Sequence, residues 1–138
     1  MKLCLIEDNG NDVELTQIAL RKAGLNVDMV VFRDGALALD GLLAADSDLH
    51  QELTMVFLDL KLPRINGFEV LQRLRSDARF DTVPVVILTS SAVESDIRRA
   101  YALRANSYIV KPIDYIEHAK AVTQTVRYWI ETNTLPNP

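Results

Sequence analysis

A doubly wound α/β domain, in which helices cover both faces of a parallel sheet, is predicted by three features of this 138-residue sequence. Short β-type apolar runs alternate with segments of helical periodicity along the whole chain. The runs are apolar throughout rather than alternating with polar residues, the pattern of strands buried on both faces and hence of a parallel sheet. The length suits one such domain, because surface scaling gives roughly 7,200 Å² folded against roughly 22,500 Å² unfolded, enough to bury a sizeable core.

Residues 3–6, 27–32, 55–58, 85–88 and 108–110 read as five strands. Between them Leu15, Ile18, Ala19 and Ala23, then Leu39, Leu42 and Leu43, then Val70, Leu71 and Leu74, then Ile97, Ala100 and Tyr101 recur at helical spacing. Asn11 with Glu14 and Ser91 with Glu94 have the spacing of an N-cap and its reciprocal acid, Asn66-Gly67 reads as a turn and helix start, and Gly24 stands where a helix stops. Polar residues 46–52 read as an exposed loop. A last helix is predicted over 114–131, with Ile116, Ala119, Thr123, Val126 and Ile130 as its core stripe. Residues 1–131 then form one domain and 132–138 a loose tail.

Hydrophobic residues are 49% and charged residues 25% of the chain, which excludes extended disorder. No apolar run approaches the roughly 18 residues that span a bilayer, so no membrane association is expected. Net charge is −4 and basic residues cluster no further than pairs such as Arg98 and Arg99, so no nucleic-acid partner is expected either. The single cysteine, Cys4, lies in an apolar run and reads as a core residue of a reducing, cytoplasmic compartment.

In open parallel sheets ligands bind beyond the carboxyl ends of the strands. Those ends carry Glu7 and Asp8, then Asp59, then Thr89, Ser90 and Ser91, then Lys111 and Pro112; Arg33 and Asp34 end the second strand without a comparable role. If the first and third strands are neighbours, three carboxylates converge, and such crowding raises their pKa values or requires a cation. Hard oxygen ligands point to Mg²⁺, and a lysine on a nearby strand end supplies a second positive charge. This is equipment for holding a phosphoryl group on an acceptor oxygen. Asp59, which ends the central run, is the best placed nucleophile, and its product is an acyl phosphate. The five glycines form no phosphate-binding loop, so ATP is not expected as the direct donor.

Glu7-Asp8, the run from Asp59-Leu60-Lys61-Leu62-Pro63 through Arg64-Ile65-Asn66-Gly67, Leu88-Thr89-Ser90-Ser91, and Tyr108-Ile109-Val110-Lys111-Pro112 together resemble the receiver domain of bacterial two-component response regulators. The resemblance spans residues 1 to 130. The Glu-Asp-Asn-x-x-Asp opening, Asp-Leu-Lys-Leu-Pro and Leu-Thr-Ser-Ser are similar to stand-alone regulators paired with bacterial phytochromes. The resemblance implies a flavodoxin-like sheet of order 2-1-3-4-5. It implies Asp59 as phosphoacceptor from a phosphohistidine of a sensor histidine kinase, with Mg²⁺ held by Asp8, Asp59 and the Lys61 carbonyl and assisted by Glu7. Thr89 and Lys111 would contact the phosphoryl group, Ser90 would lie beside them, and Tyr108 would follow Thr89 as a switch. A cis Lys111–Pro112 bond is implied too. Lys61 and Ser91 match positions that tune dephosphorylation, Lys61 either hindering or ordering the attacking water.

Blander readings stand beside these. Tyr108 is either that switch or a core aromatic, and Ser90 either a switch hydroxyl or a helix-entry one. Tyr115, Val122 and Trp129 recur every seven residues: either a core edge or, with Ile97 and Tyr101, the homodimer surface the family implies. His50 and His118 read as solvated bystanders. The expected function is a phosphoacceptor with Mg-dependent phosphotransfer and autodephosphorylation, not a turnover enzyme. The rivals are a phosphorylation-independent docking module and a haloacid-type aspartyl-phosphate phosphatase, whose Asp-x-Asp pattern Lys61 breaks.

Overall fold

Five parallel strands hydrogen-bond in the order β2-β1-β3-β4-β5. The computed structural model describes residues 1–137, so Pro138 of the expected tail lies outside the described residues. The strands are β1 (Lys2–Ile6), β2 (Asp28–Phe32), β3 (Leu53–Leu58), β4 (Val85–Thr89) and β5 (Ser107–Val110). The helices are α1 (Gly10–Lys22), α2 (Gly35–Leu42), α3 (Leu49–Glu52), α4 (Gly67–Arg75), α5 (Glu94–Ala102) and α6 (Tyr115–Arg127). A 3₁₀ turn at Ala78–Phe80 precedes β4, and a π turn at Tyr128–Thr132 follows α6.

Alternation along the strands divides the core into two layers. Cys4, Ile6, Val56, Leu58, Val85 and Ile87 pack with Leu39 and Leu42 of α2, Leu71 and Leu74 of α4 and Ala100 of α5. Leu3, Leu5, Met55, Phe57, Val86 and Leu88 pack with Val13 and Leu20 of α1 and Val122 and Val126 of α6. Both faces of the central strands are thus dry, as their unbroken apolar runs require. Strand order reverses between β1 and β3, the point in an open parallel sheet where successive crossovers leave on opposite faces and ligands bind at the carboxyl edge.

Local chemistry departs from the sequence reading at several points. The N-cap of α1 is Asn9, not Asn11, because its side chain accepts from the N–H groups of Asn11 and Asp12. α5 starts after Val93 without a side-chain cap; Ser91 Oγ instead donates to Asp96 Oδ2 at 2.6 Å and accepts from Val93 N–H. Residues 46–52 include the single turn α3. Gly24 does end α1, with φ 74°. No cis peptide occurs among the described residues, so Lys111–Pro112 is trans, the isomer that X–Pro bonds prefer by about 0.5–1 kcal/mol. Residues Leu135, Pro136 and Asn137 of the tail line a cavity of about 450 Å³ with His50, Arg79 and Val83.

On α6 the core face is rotated from the expected stripe. Ile116 is 66% exposed, whereas Val122 is fully buried and belongs to the core, not to a surface seam. His118 is no solvated bystander: it is 5% exposed, and its Nε2 has no partner. His50 likewise buries Nδ1 without a partner, beside Phe80.

Burial holds the His118 imidazole below the usual histidine range; Asp12 opposes this shift and the Lys111 ammonium adds to it. The folded chain therefore disfavours a proton that the unfolded chain takes up near pH 6.5. Stability is fully present above that value and is lost as pH falls below it. In His118→Leu, urea midpoints should fall less between about pH 7.5 and pH 5 than in the wild type. Parallel pH dependence of the two midpoints contradicts this.

Candidate functional site

The candidate site residues sit at the carboxyl ends of the strands, on the last residue or just after it. β1 continues one residue further, Glu7 N–H donating to Phe32 O at 3.0 Å, and Asp59 N–H donates to Ile6 O at 3.1 Å. These bonds place Glu7 and Asp59 side by side at the strand switch. Glu7 is 2% and Asp59 6% exposed, while Asp8 is exposed. One carboxylate oxygen from each of Glu7, Asp8 and Asp59 lies within 4.8 Å of the others. Arg33 Nη2 fixes the chain at Asp8 by donating to its carbonyl at 2.7 Å.

Lys111, on the residue after β5, turns inward because its N–H donates to Thr89 O at 2.7 Å. Its ammonium donates to Glu7 Oε1, to Asp12 Oδ2 at 2.9 Å and to Asp59 Oδ2 at 3.0 Å. Asp12 is the last acid of the Glu-Asp-Asn-x-x-Asp opening, for which the sequence assigned no role of its own. It lies in the first turn of α1, where an acid is ordinary helix chemistry, and only its position one turn beyond Asp8 marked it as facing the site.

The charges do not balance by themselves. Burial pushes the Glu7 carboxyl up to about 7; Lys111 opposes the shift and Asp59 adds to it. Burial also works against ionised Asp59, but Lys111 and the Lys61 N–H, which donates to Asp59 Oδ1 at 3.1 Å, hold its carboxyl below the usual range. Burial alone would lower the Lys111 pKa, yet Glu7, Asp12 and Asp59 raise it above the ordinary lysine value. Asp59 is thus the carboxylate kept ionised and Glu7 the partner driven to hold a proton.

Thr89, the last residue of β4, is fully buried, and its Oγ1 has no hydrogen-bond partner. A buried hydroxyl without a partner costs about 1–3 kcal/mol, so an acceptor brought to it is held strongly. Exposed Lys61 and Ser90 meet at the same edge, Nζ donating to Ser90 Oγ at 3.4 Å. Half-buried Tyr108 donates its hydroxyl to Ser91 O at 2.9 Å, so it is neither wholly core nor free. Pro112 is half-buried beside Lys111. The structure therefore groups Glu7, Asp8, Asp12, Asp59, Lys61, Thr89, Ser90 and Lys111 at one edge. Of the expected dimer surface, Tyr101 and Tyr115 are exposed, Ile97 and Trp129 are half-buried, and Val122 is withdrawn into the core. The donor set suits a divalent cation: oxygen ligands only, net negative, with an exposed Asp8 leaving room for water.

Residues 3–123 match the response regulator receiver domain. The chain is 35% identical over 136 residues to the probable methanogenesis regulatory protein FilR2 of Methanothrix harundinacea, covering 99% of this chain and 88% of that protein. It is 31% identical over 135 residues to the response regulator Rcp1 of Synechocystis, covering 97% and 92% of the two chains. The Mn²⁺-bound crystal structure of Rcp1 superimposes with a TM-score of 0.86 over 98% of each chain. The phosphorylated cyanobacterial phytochrome response regulator RcpA, 35% identical, superimposes with a TM-score of 0.89 over 99% of this chain and 98% of that one.

The Glu7 proton has a measurable consequence. Between the ordinary value of 4.5 and about 7 the folded chain holds a proton that the unfolded chain has released. Stability from this source is present below 4.5 and is lost as pH rises through about 7. Without divalent ions, Glu7→Gln should gain stability over the wild type across that window, read as urea midpoints. A constant difference between the two proteins contradicts the assignment.

Proposed function

The chain belongs to the response regulator receiver domain family, and we propose that it is a phosphoryl-operated switch: Asp59 accepts a phosphoryl group from a sensor histidine kinase in a Mg²⁺-dependent reaction. The observation that carries this is the cluster of the Glu7, Asp8 and Asp59 carboxylates, served by a single Lys111 ammonium that reaches Glu7, Asp12 and Asp59. Such a site is short of positive charge and gains from a divalent ion.

Asp59 Oδ forms the new O–P bond while the P–N bond of the kinase phosphohistidine breaks, the imidazole leaving with its electron pair. The Lys61 N–H aims the acceptor carboxylate by binding Oδ1. Asp8, Asp59 and the Lys61 carbonyl would hold Mg²⁺, with Glu7 assisting, and the ion when bound supplies charge neutralisation for the transferring group. Lys111 exchanges part of its carboxylate contacts for a phosphoryl oxygen, and Thr89 Oγ1 donates to another. Movement at Thr89 draws on the β4–α5 connection, where Tyr108 is tied to Ser91 O. Ser90 and Ser91 border the same group, and Lys61, Nζ beside Ser90, controls the approach of water.

RcpA is a cyanobacterial phytochrome response regulator, and the likeness to it over 99% of this chain and 98% of that one supports a cytoplasmic regulator with a phytochrome-type kinase as partner. A homodimer would use Ile97, Tyr101, Tyr115 and Trp129 without Val122. A turnover phosphatase is disfavoured, because the family is a phosphoacceptor signalling module and Lys61 occupies the place of a second acid.

Incubation with acetyl phosphate and Mg²⁺ should label the wild type and leave Asp59→Asn unlabelled, read by intact-protein mass spectrometry. Thr89→Ala should be labelled roughly 10- to 100-fold more slowly, as expected for one lost donor to a developing charge. Undiminished labelling of Asp59→Asn sinks the proposal.

A further inference from the structure

The loop that follows the phosphoacceptor is held at both ends, and one hold lies outside the site. At its base, Gly67 N–H donates to Leu60 O at 3.0 Å. A Cβ on Gly67 would meet Asp59 O at 2.2 Å, so only glycine permits this approach. At its tip, Ile65 N–H donates to Pro63 O at 2.8 Å across Arg64, whose φ is 65°. A three-residue turn with positive φ at its centre is the rare, strained form of the γ-turn, and on arginine it persists only where its surroundings hold it.

The β2–α2 connection provides that hold. Arg64 Nε donates to Asp34 Oδ2 at 3.2 Å, and Nη2 donates to Oδ1 at 3.1 Å and to Oδ2 at 2.9 Å. Asp34 is itself fixed, because Oδ1 accepts from Leu37 N–H at 2.7 Å as the N-cap of α2. Beside it the loop rests on Gly35, where a Cβ would stand 2.0 Å from Ile65 O and 2.8 Å from Ile65 C. Between base and tip lies Lys61, whose N–H binds Asp59 Oδ1.

We propose that the Asp34–Arg64 fork, seated on Gly35, positions the Lys61 backbone against Asp59 and thereby sets the affinity of the site for a divalent cation. This rests on the receiver reading above. None of the three residues touches the acidic cluster; they are positioning residues acting through the turn. A fork with matched geometry is stronger than a simple surface pair, and the strain of the turn makes its loss felt in the loop.

The test is Mg²⁺ titration by calorimetry with no phosphodonor, with the Lys61 amide followed by ¹H–¹⁵N NMR and the melting temperature of each variant recorded. Arg64→Ala and Asp34→Asn, the latter keeping a cap at α2, should each weaken Mg²⁺ binding by about three- to tenfold and shift the Lys61 amide. Melting temperatures should move by less than about 4 °C. The double variant should be no weaker than either single one, Arg64→Lys should recover part of the loss, and Gly35→Ala should lose at least as much. Mg²⁺ affinity unchanged in Arg64→Ala and Asp34→Asn, or additive losses in the double variant, overturns the proposal while leaving the receiver reading intact. A wild type that binds no Mg²⁺ overturns both.

Discussion

Lys111 Nζ reaches Glu7, Asp12 and Asp59 together, and the side chains involved have little access to water. Three carboxyls on one ammonium leave an excess of negative charge that burial makes expensive, so one acid is driven towards its neutral form while another stays ionised. Such a cluster is a weak source of stability, since replacing buried ions with apolar residues is often neutral or favourable. Its value is chemical. It keeps the Asp59 carboxylate ionised beside the Lys111 ammonium and near a Thr89 hydroxyl without a partner, all at the edge of a rigid sheet.

The sheet makes this possible through order rather than through any single contact. Placing β1 between β2 and β3 brings the ends of strands one and three together and sets β4 and β5 beside them, so residues 7, 8, 59, 89 and 111 share one edge. The central strands β1, β3 and β4 are buried on both faces and cannot shift without exposing a full apolar row. Positions at the strand ends therefore inherit the precision of the core, whereas the connecting loops need their own anchors, such as Arg33 on the Asp8 carbonyl and Arg64 on Asp34.

How much of this was legible in the sequence varied with the physics that decides each feature. Strands announced themselves because unbroken apolar runs have few other uses, and the polar residues ending them marked the site. Asp12 closes the Glu-Asp-Asn-x-x-Asp opening but carried no role of its own there, because an acid in a first helical turn needs no further reason to be present. His118 and Val122 were misplaced for a different cause: α6 carries apolar residues on more than one seam, and periodicity does not reveal which seam faces the sheet. Ile116 is exposed while a histidine takes a core position. Caps failed where two polar candidates stood close together, as with Asn9 and Asn11, because the choice depends on where the preceding strand releases the chain. Arg64 gave no signal at all, since a positive φ on arginine is imposed by the partner it meets 30 positions earlier.

The most direct measurement is a crystal structure of the chain with Mg²⁺ and beryllium trifluoride, a stable analogue of an acyl phosphate. The fluoroberyllate should sit on an Asp59 oxygen, its fluorines contacted by Thr89 Oγ1 and Lys111 Nζ, with the cation between Asp8 and Asp59. A fluoroberyllate bound elsewhere, or a Lys111 still holding all its carboxylates with Thr89 Oγ1 unpartnered, contradicts this.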